Sequence, residues 1–130
     1  MLGADFMSYV GGELSNIKIL VIDDDDLVRM TARNILQKAG CVVFEATSGV
    51  TGVKLFKSES PAVVITDMLM PDKEGLETIT EIRSLNPDTK IIAMSGGGSS
   101  KNMAYLQMAQ KIGADHSIKS LSSRMNSSAL

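Results

Sequence analysis

The chain contains no tryptophan, one cysteine, one histidine and three prolines. A lone cysteine, Cys41, excludes an internal disulfide, and its place at the start of an apolar run reads as a reduced core thiol of a cytosolic protein. Neither sign of charge dominates: 13 basic residues stand against 15 acidic ones, for a net charge of −2. No basic stripe points to direct nucleic-acid binding, and no acidic tail points to disorder. No apolar run approaches the roughly 20 residues that cross a bilayer as a helix, so no membrane span is expected. The first residues, "MLGADFMSYVGGELSN", lack a basic segment followed by an apolar one, the mark of a secretion signal. There is no internal repeat. The glycine-rich "GGGSS" at 96–100 has no G-x-x-x-x-G-K-[ST] spacing around it, so it reads as a flexible turn and not as a nucleotide-phosphate cradle.

What is present is enough apolar material for a core. The 130 residues are 44% hydrophobic, which fits one domain. Residues 1–16 carry no clear periodicity and read as a poorly ordered leader; the domain is expected over 17–130. Five short apolar runs follow: "IKILVI" (17–22), "CVVFEA" (41–46), "AVVIT" (62–66), "KIIAM" (90–94) and the weaker "DHSIK" (115–119). Near-continuous apolar runs are what strands buried on both faces require. Helical stripes separate them. Val28, Ala32, Ile35, Leu36 and Ala39 share one face, with Gly40 as a stop. Ser48 can cap a second helix holding Val50, Val53 and Phe56, although Gly49 and Gly52 weaken it. Leu76, Ile79, Ile82 and Leu85 make a third, ended by "NPD" at 86–88, and Tyr105, Leu106, Met108, Ala109 and Ile112 a fourth. Strands alternating with helices imply parallel pairing with right-handed crossovers: an α/β, doubly wound, three-layer sandwich. Of the nine methionines, those on or beside the apolar runs read as core filling.

The first apolar run breaks into four aspartates, Asp23 to Asp26. Open parallel sheets bind ligands beyond the carboxyl ends of their strands. At that rim the pattern places Asp23 and Asp24 after the first strand, Asp67 at the end of the third, Ser95 at the end of the fourth and Lys119 at the end of the fifth. Clustered carboxylates raise one another's pKa unless a cation relieves them, and a hard divalent ion such as Mg²⁺ takes oxygen ligands. Asp23, Asp24 and Asp67 therefore read as a magnesium site. Asp26, just before the first helix, is expected to cap it, and Asp25 to be a solvated turn residue.

The elements "ILVIDD" (19–24), "VVITDMLMPDKEG" (63–75), "IIAMSG" (91–96) and "ADHSIK" (114–119) resemble, in this order, the receiver domain of two-component response regulators, of which the chemotaxis response regulator is one. The resemblance implies a flavodoxin-like fold with a five-stranded sheet in the order 2-1-3-4-5. It implies that Asp67 is the phosphoacceptor, attacking a phosphohistidine on a sensor histidine kinase or phosphotransfer protein. Mg²⁺ would be held by Asp24, Asp67 and the backbone carbonyl of Leu69, with Asp23 acting through a water. Ser95 and Lys119 would contact phosphoryl oxygens, and His116 stands where a switch aromatic is usual. The physics agrees with such roles, because phosphoryl transfer asks the protein for in-line positioning and neutralised oxygens. The protein would be an acceptor that changes partner, not an enzyme turning over an external substrate.

Two departures stand out. Ser120 follows Lys119 where the family has proline, which leaves open how Lys119 approaches the site. The tail "SLSSRMNSSAL" (120–130) is short and serine-rich for a fifth helix. An incomplete helical layer leaves an apolar face, and a homodimer through the fourth helix, fifth strand and fifth helix is one way to cover it. Two other classes compete: a pseudo-receiver used only for protein binding, which the complete acidic set argues against, and a flavin carrier, whose phosphate would be repelled by three carboxylates.

Overall fold

The computed structural model describes residues 16–68, 75–95 and 114–119. Five strands and three helices lie there: β1 (Lys18–Ile22), α1 (Asp26–Lys38), β2 (Val42–Ala46), α2 (Gly49–Glu59), β3 (Val63–Asp67), α3 (Gly75–Leu85), β4 (Lys90–Ser95) and β5 (His116–Lys119). The strands form one sheet in the order β2-β1-β3-β4-β5, every pair parallel. Alternating strands and helices thus give the doubly wound sheet, and each strand matches its apolar run to within a residue. The leader, the expected fourth helix and the expected fifth helix fall outside the described residues.

Alternation along the strands divides the core in two. Ile19, Val21, Val63, Ile65, Ile92 and Met94 point to the face covered by α1, where they meet Val28, Ala32, Leu36 and Cys41. Leu20, Ile22, Val64, Ile91 and Ala93 point to the other face and meet Val53 and Phe56 of α2 and Ile79 and Ile82 of α3. Strands inaccessible on both faces are why these runs lack the polar alternation of a half-exposed sheet. The stripes fray at helix ends. Val50 and Leu85 are exposed, and Ala39 serves as the exposed C-cap of α1.

Two details of α1 and α2 settle open points. Asp25, and not Asp26, is the N-cap of α1: its backbone is extended, and its carboxylate accepts from the amides of Leu27 (2.9 Å) and Val28 (3.4 Å). Asp26 is one residue inside the helix and pairs with Arg29 one turn on. The helix begins a residue earlier than a cap at Asp26 demands, because the turn between β1 and α1 is closed by the Asp25 amide donating to Asp23 Oδ1 at 2.9 Å. In α2, Ser48 caps as expected and shares a reciprocal capping box with Thr51. Gly52 does not weaken the helix idly. A Cβ there would lie 2.5 Å from Ile22 Cδ1, so glycine lets α2 lie close against β1.

At the foot of the sheet, Asp115 fixes the start of β5. Its amide donates to the Ile91 carbonyl and its Oδ2 accepts from the Ile91 amide, both at 2.8 Å. Arg83 at the end of α3 donates to the same Oδ2 at 2.9 Å and to the carbonyls of Pro87 and Thr89 at 2.7 Å.

Candidate functional site

The site grows from the carboxyl ends of β1 and β3, neighbours at the centre of the sheet. β1 ends at the inaccessible Ile22, and Asp23 follows at 3% exposure. Three bonds fix Asp23. Its amide donates to the Ala46 carbonyl at 3.1 Å, its Oδ1 accepts from the Asp25 amide, and its carbonyl accepts from the Arg29 guanidinium at 2.6 Å. Asp24 is exposed, and Asp67, the last residue of β3, is half-buried. Asp23, Asp24 and Asp67 each bring a carboxylate oxygen within 4.8 Å of the other two.

Burial is the main reason Asp23 holds its proton: its pKa rises from the usual 3.8 to about 7. The hydrogen bond from the Asp25 amide works against this rise, and the charges of Asp67, Asp24 and Asp25 add to it. A group this size of carboxylates, one of them out of solvent, is costly to ionise without a cation. The donor set fits Mg²⁺. Its oxygen ligands sit about 2.0–2.1 Å from the ion, so oxygens under 5 Å apart can share one ion directly or through its waters.

β3 is held where Asp67 needs it. The Met68 amide donates to the Met94 carbonyl at 3.1 Å, and the Met68 carbonyl accepts from the Gly75 amide at 3.3 Å. The first residue of α3 thus lies directly against the end of β3. A Cβ on Gly75 would lie 2.5 Å from the Asp67 carbonyl oxygen and 2.6 Å from Met68 Cα, so only glycine allows this approach.

The other expected residues are placed by backbone register. Asp67 pairs with Met94, next to Ser95, and Ser95 pairs with Lys119. The register therefore brings Asp67, Ser95 and Lys119 to one end of the sheet. His116 pairs with Ile92, three residues back from that end. The side chains of Ser95, His116 and Lys119, all of Leu69, and the Lys119–Ser120 bond lie outside the described residues.

Sequence reading missed a layer behind the carboxylates. Arg29 reaches Glu45 Oε1 at 3.4 Å, and Arg33 pairs with Glu45 Oε2 at 2.8 Å, so α1 is tied to β2 beside the acidic rim. Two signals for it were visible: Asp26, Arg29 and Arg33 recur at helical spacing, and Glu45 interrupts an otherwise apolar strand.

A doubly wound parallel α/β sheet with three carboxylates gathered at the carboxyl ends of β1 and β3 defines a class of folds with an acidic site able to accept a cation. The profile of the response regulator receiver domain matches residues 19–122, and the chain belongs to that family. It is 38% identical over 82 residues to the chemotaxis protein CheY of Thermotoga maritima, a match covering 62% of this chain and 68% of that one. Among solved structures, a receiver domain from Clostridium thermocellum superposes with a TM-score of 0.73 at 32% identity, covering 79% of this chain and 81% of that one. The response regulator TrrA of Thermotoga maritima, in complex with Mg²⁺ and BeF, gives a TM-score of 0.71 at 28% identity, covering 87% and 96%. The chain is thus a receiver domain of the two-component response regulators, a family of signalling domains that pair with histidine kinases. No helix among the described residues is long and apolar enough to cross a membrane.

Proposed function

We propose that Asp67 is the phosphoacceptor, with Asp23 and Asp24 completing a Mg²⁺ site around it. The observation that carries this reading is the meeting of the three carboxylates within 4.8 Å at the carboxyl ends of β1 and β3. A carboxylate oxygen of Asp67 attacks the phosphorus of a phosphohistidine on a sensor histidine kinase or phosphotransfer protein. The P–O bond forms, the P–N bond breaks, the electron pair leaves with the imidazole nitrogen, and Asp67 becomes an acyl phosphate. Asp67 is suited to the attack because the rim leaves it partly open while the backbone of the next residue, Met68, is pinned on both sides, by Met94 and by Gly75. Bound Mg²⁺ would supply positive charge to the phosphoryl oxygens. The complex of TrrA with Mg²⁺ and BeF supports the same chemistry in a similar protein. Ser95 and Lys119, brought to the rim by register, contact the phosphoryl oxygens, Leu69 lends its carbonyl to the metal, and His116 lies on the strand through which the change is felt. The domain is an acceptor that changes partner, and not a turnover enzyme; a second copy of the chain is one such partner. The free thiol of Cys41 fits the reducing cytoplasm.

The test is intact mass after incubation with a small-molecule phosphodonor and Mg²⁺. The parent protein gains one phosphoryl group, and Asp67→Asn gains none while keeping its fold. A phosphoryl group found on another aspartate of a folded Asp67→Asn protein removes Asp67 from the role.

A further inference from the structure

Arg29, on α1, joins the acidic rim to β2. Its guanidinium donates to the Asp23 main-chain carbonyl at 2.6 Å, pairs with Asp26, and reaches Glu45 Oε1 at 3.4 Å. The side chain is only 11% exposed. A planar fork with five N–H donors suits three acceptors lying in three directions, and an ammonium does not.

The bond to the carbonyl matters most. The other two anchors of Asp23, its amide to Ala46 and its Oδ1 to the Asp25 amide, leave the next peptide unit unheld. The Asp23 carbonyl and the Asp24 N–H are two ends of one rigid plane. Holding the oxygen fixes the plane from which the Asp24 side chain departs. Asp24 is exposed, so the direction of its carboxylate depends on the backbone beneath it.

We infer that Arg29 is a positioning residue for the divalent-metal site, orienting the Asp23–Asp24 peptide so that the Asp24 carboxylate meets those of Asp23 and Asp67. The inference rests on the reading of these three carboxylates as a Mg²⁺ site. It makes a prediction of sign. As a charge alone, a guanidinium beside a cation site repels the metal, so its removal would tighten binding. As a positioning group, its removal loosens binding.

The experiment titrates Mg²⁺ into the full chain by calorimetry and by amide NMR, for the parent, Arg29→Gln, Arg29→Lys and Glu45→Gln. Arg29→Gln is expected to weaken Mg²⁺ binding on the order of 10-fold, the usual effect of losing a group that orients a ligand. It also shifts the Asp24 amide resonance in metal-free protein, because the carbonyl of that same peptide has lost its donor. Arg29→Lys falls between, since a flexible ammonium can reach the Asp23 carbonyl but does not hold it in the fixed direction that the planar fork imposes. Glu45→Gln keeps the Arg29–Asp23 bond and binds Mg²⁺ as the parent does. A folded Arg29→Gln protein with unchanged or tighter Mg²⁺ binding overturns the inference. If Arg29→Gln does not fold, Arg29→Lys decides, and an affinity equal to the parent's or tighter overturns it. A parent that takes up no Mg²⁺ overturns the metal reading itself and this inference with it; a binding parent with an indifferent Arg29 overturns this inference alone.

Discussion

Asp23 couples protonation to the fold. Its pKa of about 7 lies above the usual 3.8, so the folded chain binds this proton more tightly than the unfolded chain does. The stabilisation is complete below the unfolded value and is lost as pH rises through about 7. Metal-free protein should therefore lose part of its stability between about pH 6 and about pH 8. Magnesium needs the carboxylate, so the gain in melting temperature on adding Mg²⁺ should be larger at about pH 8 than at about pH 6. Thermal melts with and without Mg²⁺ at the two pH values measure both trends. A Mg²⁺ effect that is absent, or larger at the lower pH, contradicts the account of Asp23. None of this is legible in "DDDD": four adjacent identical letters do not say which one is buried. Burial belongs to Asp23 because it directly follows the inaccessible Ile22 and donates its amide to Ala46.

Among elements, the start of α1 and the start of α3 are the informative ones. The sequence placed a cap in the aspartate run but chose Asp26, because a local pattern cannot register the turn that Asp23 Oδ1 closes on the Asp25 amide. Asp25→Ala should cost about 1 kcal/mol by removing two amide partners, whereas Asp26→Ala should cost only about 0.3–0.5 kcal/mol, as an exposed pair one turn apart does. Denaturant unfolding of the two variants ranks them, and the reverse ranking returns the cap to Asp26. The start of α3 carries the site more directly. Alanine at Gly75 meets backbone atoms, which cannot swing aside as a side chain can. Gly75→Ala should destabilise by about 1–3 kcal/mol and slow phosphoryl uptake, because the carbonyl displaced is that of Asp67. Uptake at the parent's rate in this variant rules out the link to Asp67. The apolar stripes told which faces are buried, since burial at Val28, Ala32, Leu36, Ile79 and Ile82 needs only the helical repeat. They could not tell that Gly52 is there to admit Ile22, a contact made across the sheet and not along the chain.

At the scale of the whole molecule, the order of strands came from the family resemblance, while the alternation of strands and helices came from the runs themselves. The ties that hold the sheet at its foot, from Arg83 through Asp115 to Ile91, join residues far apart in the chain and left no local trace. They hold β5 in register at the end away from the rim.

The thiol of Cys41 has a use unrelated to its packing. It is the chain's one sulfhydryl, 6% exposed, sits in the cluster under α1, and its pKa is raised by burial. A disulfide reagent in solution can then react only when α1 and the sheet part, so the colour it releases is a clock for how often the native protein opens. Because α1 begins at the acidic rim, adding Mg²⁺ should slow that clock, and labelling at one unchanged rate with and without Mg²⁺ would mean that the rim and this half of the core open independently.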